Sequence, residues 1–186
     1  MSTLGYALLA LLAKRPSSGY DLAQRTHRPL GYFWTATYGQ IHPQLRELAA
    51  AGLLSVAAVR GPGPHDKRVY SITDAGRSTL AAWVTQPPAR EVERDELLLK
   101  VFAIWIADPA DARRFALEQA EVHRQRLAEY EAIELAAVPY NHPDFGSVAT
   151  LRYGIGYQRH RVEWCEWLAA AFAPPGRHFA GSPDRA

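Results

Sequence analysis

The pattern of apolar and polar residues in the first third of the chain predicts three short helices. Leucines recur at helical spacing over residues 3–13, and a break at residues 15–19 separates them from a second helix over residues 20–26, for which Ser18 is the candidate N-cap. A third helix is predicted to begin after Thr37, which with Gln40 forms a capping-box pattern, and to end before Gly52. The predicted buried positions of this third helix are Ile41, Leu45 and Leu48.

Two strand-like runs follow the third helix. Residues 53–60 and 67–72 flank a glycine- and proline-rich tip, residues 61–66, that is typical of a hairpin. A fourth helix is predicted over residues 73–86. A helix, a two-stranded β-wing and another helix in this order indicate a winged helix-turn-helix. That fold places one helix in the major groove of DNA and a basic loop beside it.

The second half of the chain is predicted to be helical. Helices are expected over residues 93–106, 110–138 and 147–172, after a candidate linker at residues 87–90. The apolar residues of the last helix recur near a 3.5-residue spacing, which is typical of packing between helices. The predicted fold class is therefore mainly α, with an N-terminal winged helix-turn-helix and a C-terminal helical domain.

Charge differs between the two halves of the chain. Residues 1–88 hold nine Lys and Arg against four Asp and Glu, whereas residues 89–186 hold twelve against fifteen. A basic first half suits a polyanionic partner, although a solvated surface is the alternative. We expect residues 1–88 to bind DNA and residues 89–173 to form a separate helical domain with another role. Residues 174–186 are expected to be a disordered tail.

Polar residues of the third helix and basic residues of the wing are the candidate DNA contacts. A recognition helix presents its N-terminal turns to base edges, where Gln pairs with adenine and Arg with guanine or phosphate. Basic side chains on a hairpin follow a phosphate ridge or enter a minor groove, and Tyr hydroxyls donate to phosphates. The alternative is a solvated helix face and hairpin end. The candidates are Tyr20, Thr35, Thr37, Tyr38, Gln40, His42, Arg46, Arg60, Lys67 and Arg68.

Three segments resemble the PadR family of bacterial transcriptional regulators. They are LGYALLALLAKRPSSGYDLAQ, FWTATYGQIHPQLRELAAAGLL and RVYSITDAGRSTLAAW, within about the first 85 residues. They resemble the family's opening helices with a Gly-Tyr-[Asp/Glu]-Leu motif, its recognition segment, and its Tyr-x-[Ile/Leu]-Thr-x-x-Gly helix entry. In the recognition segment His42 stands where the family has tyrosine.

The helical remainder resembles, in pattern and length, the C-terminal domain of the family's larger subgroup. The resemblance implies a homodimer that binds an inverted-repeat operator, usually to repress. It also implies that the C-terminal helices form the dimer with help from the first helix. The dimer-interface candidates are Leu4, Leu8, Leu11, Val148, Leu151, Ile155, Val162, Cys165 and Ala169.

An aromatic cluster in the second half has two interpretations. Some members of the family sense phenolic acids or flat hydrophobic drugs between such helices, so the cluster is a candidate pocket for a small planar effector. Packing in the dimer core is the other interpretation. Arg152, Arg159 and Arg161 are candidates to hold an acid group. The aromatic candidates are Phe102, Trp105, Tyr153, Tyr157, Trp164 and Trp167.

Other chemistry is not indicated by the sequence. Cys165 is the one cysteine, which excludes an internal disulfide and fits a reducing compartment. No metal-type His or Cys pair, nucleophile elbow or phosphate-binding loop occurs. No apolar run is long enough to span a membrane, and Lys14 and Arg15 follow the N-terminal apolar run, the reverse of a signal peptide.

These observations lead us to expect a cytoplasmic protein with no enzymatic activity, cofactor, metal or membrane partner. Two alternatives to a DNA-binding regulator remain open. One is a winged-helix module that contacts only proteins, and the other is an aromatic small-molecule binder without a DNA function.

Overall fold

A computed structural model describes residues 1–26, 37–60, 67–88, 94–134 and 136–173, with the backbone alone at residues 25, 26 and 38. The chain divides into two compact units, Met1–Arg90 and Glu91–Ala186. Among the described residues, no helix combines the length and apolar character that crossing a membrane requires. The mainly helical fold class with a β-wing is confirmed.

The N-terminal unit contains the predicted helices and wing. A third short strand extends the predicted two-stranded wing, because the chain after Pro16 is extended and pairs with the open edge of the last strand. The sheet is antiparallel, with Ser17 opposite Tyr70 and Val59 opposite Lys67. The elements are α1 (Thr3–Lys14), β1 (Ser17–Ser18), α2 (Gly19–Thr26), α3 (Tyr38–Ala50), β2 (Leu54–Val59), β3 (Lys67–Ile72) and α4 (Asp74–Val84).

Leucines and isoleucine from three helices form the core of this unit. The predicted inner face of α3 is confirmed, since Ile41, Leu45 and Leu48 are buried. Each fully buried side chain of this kind contributes about 1.5–3 kcal/mol to folding. The core also contains Leu8, Leu9, Leu11, Leu12, Leu22, Leu54 and Tyr70.

The junction between the wing and α4 is tightly built. Gly52 has a φ of 71°, the left-handed conformation that glycine adopts readily at a helix end. The Thr73 hydroxyl donates to the Gly52 carbonyl at 2.8 Å and accepts from the Gly76 N–H at 3.1 Å. The Thr73 N–H donates to the Leu53 carbonyl at 3.1 Å. These bonds hold the first turn of α4 against the turn that leads into the wing.

The C-terminal unit contains α5 (Glu96–Phe102), a 3₁₀ turn (Ile104–Ile106), α6 (Pro109–Glu131) and α7 (Phe145–Ala171). The predicted helix over residues 93–106 is shorter in the structure, because the Asp95 carboxylate caps the N–H groups of Leu97 and Leu98 and the helix gives way to the 3₁₀ turn. The predicted helix over residues 110–138 ends at Glu131. Apolar spacing alone does not mark where the chain must turn so that α7 can return along α6.

Small residues and one buried polar pair join α6 to α7. Ala116 packs with Leu168 and Ala169. A Cβ added at Gly154 would lie 3.1 Å from the Tyr130 ring, so this ring occupies the space above the glycine. His123 Nδ1 and Gln158 Oε1 lie 2.7 Å apart, and both residues are buried.

Candidate nucleic-acid interface

The N-terminal turn of α3 is exposed and closed by its own cap. The Thr37 N–H and hydroxyl donate to Gln40 Oε1 at 3.0 and 3.1 Å. A bidentate contact of Gln with adenine needs this oxygen as an acceptor, so Gln40 must release the cap in order to make it. Its amide NH₂ group can donate to a base or phosphate while the cap stays in place.

His42 lies between two helices of the N-terminal unit. A Cβ added at Gly19 would lie 2.8 Å from Cε1 of the His42 ring, so the half-buried ring packs against the first residue of α2. The suggestion that His42 contacts DNA is therefore not supported by its position. Gly19, the glycine of the Gly-Tyr-Asp-Leu segment, provides the space for this ring.

The other candidates of the helices are mostly exposed. Arg46 is exposed on α3 beside the buried Leu45. Tyr20 is exposed on α2, and its hydroxyl accepts a hydrogen bond from Gln24 at 3.3 Å. The side chain of Tyr38 and the whole of Thr35 lie outside the described residues.

The wing carries its basic residues on both faces. Arg60 directly follows β2, and Lys67 and Arg68 begin β3; all three are exposed. Because successive side chains of a strand point to opposite faces, Lys67 and Arg68 cannot both face the same groove. The tip of the hairpin, residues 61–66 between Arg60 and Lys67, lies outside the described residues.

Lys67 is already paired within the unit. Its ammonium lies 2.8 Å from Oδ2 of Asp21 on α2. The same carboxylate oxygen accepts from the N–H and hydroxyl of Ser18 at 3.1 and 2.8 Å. The hydrogen bond from Lys67, and after it that from Ser18, lowers the pKa of Asp21 to about 2. Asp21 therefore stays ionised at neutral pH and compensates the charge of Lys67.

Asp21 was not among the predicted site residues. The Ser18 hydroxyl accepts from the Asp21 N–H at 3.2 Å, so the predicted cap of α2 is confirmed and is reciprocal. The spacing Ser-x-x-Asp is a capping signal that sequence reasoning could have found. The pairing with Lys67 depends on the sheet and has no such local signal.

The aromatic candidates of the C-terminal unit do not all line one pocket. Tyr157 and Trp164 line a pocket of about 250 Å³. Tyr153 stacks on Tyr157 with ring centroids 6.5 Å apart but is itself exposed. Phe102 and Trp105 are 83% and 80% exposed, so they do not line an enclosed pocket within this unit. Trp167 is also exposed.

Two of the three arginines proposed for an acid group are already paired. Arg159 donates to Glu131 at 2.8 Å. Arg161, which is 8% exposed, donates to Asp95 and through Nε to the Tyr157 hydroxyl at 2.9 Å. Burial disfavours the charge of Arg161, but the bonds to Asp95 and Tyr157 raise its pKa above the ordinary value. Arg152 is exposed.

Comparison with known proteins decides the family. A model of the PadR-like family of transcriptional regulators matches residues 8–82, and a model of the virulence activator alpha C-terminal region matches residues 93–173. The negative transcriptional regulator PadR of Bacillus subtilis is 30% identical over 177 residues, which cover 91% of this chain and 97% of that protein. The chain belongs to the PadR family. It is a DNA-binding transcriptional regulator, and the family predicted from its motifs is confirmed.

Solved structures of PadR from Bacillus subtilis share this fold. The structure in complex with operator DNA has a TM-score of 0.85 and 28% identity, covering 92% of this chain and all of that chain. The structure in complex with p-coumaric acid has a TM-score of 0.80 and 28% identity, covering 92% of this chain and 99% of that chain. The likeness therefore extends over both units.

The predicted dimer residues of this PadR-family chain are mostly used within its own units. Leu8 and Leu11 are 0% and 4% exposed, and Leu4 packs against the same core. Leu151, Cys165 and Ala169 are likewise buried, because the apolar seam of α7 faces α6. These buried residues have no free surface for a partner in this conformation. Val148, Ile155 and Val162 are partly exposed.

No metal centre is evident in the part of the chain that the structure describes. There, no group of three or more His, Cys, Asp or Glu side chains is placed to hold a metal ion. Cys165 is buried, and burial raises the pKa of its thiol. A thiol of this kind is a weak nucleophile at neutral pH.

Proposed function

We propose that this protein is a homodimeric repressor that binds an inverted-repeat operator through α3 and the wing, and that a small aromatic effector releases it. The observation that carries this proposal is the arrangement of the N-terminal unit. The exposed first turns of α3 and the exposed cations of the hairpin are the two elements that a winged helix-turn-helix applies to DNA. The chromosome is the target, so the proposed compartment is the cytoplasm.

The proposed contacts differ in strength. Arg46 on α3 and the wing residues Arg60 and Arg68 are exposed cations that are available to phosphates or base edges. Lys67 shares its charge with Asp21 and therefore contributes less to the attraction of a polyanion. Tyr20 and the amide of Gln40 are proposed to donate hydrogen bonds to the backbone of the operator, and Thr37 can join them only if its hydroxyl releases the Gln40 oxygen.

A second copy of the chain is proposed to cover the apolar surface of the C-terminal unit. Large side chains of α5 and the following 3₁₀ turn are exposed side by side, and a monomer rarely leaves such a patch open. Aromatic and aliphatic residues of this kind are enriched in dimer interfaces. The proposed interface residues are Leu99, Phe102, Trp105 and Ile106.

The relatives support repression and an effector. PadR of Bacillus subtilis is a negative regulator, and its structures contain operator DNA in one case and p-coumaric acid in another. For this chain the proposed ligands are of the same two classes, duplex DNA and a planar aromatic molecule.

A competition gel shift tests the proposed DNA function. The full chain is titrated onto the duplex upstream of its own gene, in the presence of a scrambled duplex of equal length. We expect a specific shift that Arg46→Ala weakens about tenfold or more, since a good base or phosphate contact is worth about 1–3 kcal/mol. Arg113→Ala, an exposed arginine of α6, is the matched control and should bind as the wild type does. Equal binding of both duplexes would contradict the proposal.

A further inference from the structure

The pocket in the C-terminal unit has a composition that specifies its ligand. Its volume of about 250 Å³ lies just below the usual range for drug-sized ligands and suits a molecule with a single ring. Aromatic and aliphatic side chains form its walls, and an ion pair lies among them. The lining residues are Asp95, Leu98, Tyr157, His160, Arg161 and Trp164.

The charged groups of this pocket neutralise each other. Arg161 is buried and ion-pairs with Asp95, whose carboxylate also caps α5 through the N–H groups of Leu97 and Leu98. The hydrogen bond from Arg161 lowers the pKa of Asp95, so the pair stays ionised at neutral pH. An entering carboxylate would meet the Asp95 carboxylate and would have to break a buried pair. Breaking such a pair leaves an uncompensated buried charge, which is strongly unfavourable.

Two polar groups remain beside the ion pair, the Tyr157 hydroxyl and the exposed His160, and the hydroxyl suits an uncharged ligand. The Tyr157 hydroxyl accepts hydrogen bonds from Arg161 at 2.9 and 2.6 Å, so its own proton is available for a ligand oxygen. The Arg161 guanidinium lies 5.1 Å from the centroid of the Tyr157 ring and fixes this ring in place. Trp164 offers an aromatic surface on which a planar ring can stack.

We propose that this pocket binds an uncharged, single-ring aromatic molecule with a hydrogen-bond acceptor, and that it selects against aromatic carboxylates. The inference rests on the proposed function, because it names the chemical class of the effector. Selectivity comes from the ion pair, which leaves a carboxylate without a partner. The roles of the residues are distinct: Trp164 stacks on the ligand, Tyr157 donates to it, and Asp95 excludes its acid form.

Two probes of equal size test the charge requirement. p-Coumaric acid and p-coumaramide differ at neutral pH only in the charge of the terminal group, and tryptophan fluorescence of the full chain without DNA measures the binding of each. We expect the amide to bind about tenfold or more tightly than the acid. Trp164→Phe should remove most of the quenching, whereas the matched change at the exposed Trp167, Trp167→Phe, should retain it.

One substitution should reverse the selectivity. Asp95→Asn keeps a good helix cap and frees Arg161, so this variant should bind the acid more tightly than the amide. If Asp95→Asn does not fold, the relative affinity of the wild type for the acid and the amide is the deciding test of the selectivity. The inference is overturned if the wild type binds neither probe, if it prefers the acid, or if quenching survives in Trp164→Phe.

A separate readout keeps this inference apart from the proposed function. Fluorescence anisotropy of a labelled operator reports whether each probe releases the protein from DNA. Binding of the amide without release would contradict the effector role and uphold the pocket's selectivity. If the acid releases the protein from DNA and the amide does not bind, the proposed selectivity is wrong and the proposed function as an effector-controlled repressor stands.

Discussion

Two glycines in the first turns of helices should respond in opposite ways to the same substitution. Gly76 lies in the first turn of α4, where an added Cβ would lie 2.8 Å from Cγ1 of Ile72 and closer still to the Leu53 carbonyl oxygen. Gly39 lies in the first turn of α3, where an added Cβ would meet nothing within 4 Å. Gly76→Ala and Gly39→Ala therefore add the same methyl group to a crowded site and to an open one.

The magnitudes follow from the two environments. Overpacking a filled site costs about 1–3 kcal/mol, and the upper end applies to Gly76 because one neighbour is a backbone oxygen that cannot rotate away. Replacing a helical glycine by alanine raises the free energy of unfolding by about 0.5–1 kcal/mol. Gly76→Ala should therefore lower the free energy of unfolding by about 2 kcal/mol, which is the cost of overpacking less the gain from replacing a helical glycine, whereas Gly39→Ala should raise it by about 0.5 kcal/mol.

Urea unfolding followed by circular dichroism measures both changes. The protein concentration must be the same for every variant, because the stability of a dimer depends on it. The midpoint of Gly76→Ala should fall and that of Gly39→Ala should rise, each with an unchanged slope. A Gly76→Ala protein as stable as the wild type would refute the close packing of α4 against the wing junction.

Three further predictions follow from buried or paired groups. Lys67→Ala should weaken operator binding less than Arg68→Ala in a titration at fixed salt, because Asp21 already compensates Lys67; an equal loss would contradict this. Because folding lowers the pKa of Asp21 from 3.8 to about 2, its contribution is complete above about pH 5 and is lost as the pH falls through about 2. Asp21→Asn should remove this acid dependence, worth about 1 kcal/mol after solvent screening of the half-exposed pair, and acid titrations of stability that coincide for the two proteins would disprove it. His123→Leu should lower the free energy of unfolding by about 1–3 kcal/mol, because it leaves Gln158 buried without its partner, and urea unfolding with no shift of midpoint would argue against that bond.

Helices that bury one face could be predicted, because the helical spacing of their apolar residues is a local feature of the sequence. The spacing of Ile41, Leu45 and Leu48 records the direction of the core from α3, and the structure confirms it. The caps at Ser18 and Thr37 are also local signals, since each bond spans three residues. The family motifs combined these signals and correctly indicated the winged helix-turn-helix.

Contacts between distant segments could not be predicted in this way. The pairing of Lys67 with Asp21 depends on how β3 lies beside α2, and the pairing of Arg161 with Asp95 joins groups 66 residues apart. Both pairs change the interpretation of the site. Asp21 neutralises Lys67, a predicted DNA contact, and Asp95 neutralises Arg161, a predicted partner of an acid group. The apolar run around Phe102 and Trp105 likewise carried no sign of its exposure, since hydrophobicity alone does not tell a core from a surface awaiting a partner.

The salt dependence of operator binding tests the central claim most directly. If exposed cations of α3 and the wing contact phosphates, each lost contact should reduce the slope of log K against log salt by about one, or about two for a symmetric dimer. Arg68→Ala should therefore bind more weakly with a shallower slope, and Arg126→Ala, on the exposed face of α6, should match the wild type in both. An affinity and slope unchanged by Arg68→Ala, or a slope reduced by Arg126→Ala, would contradict the account.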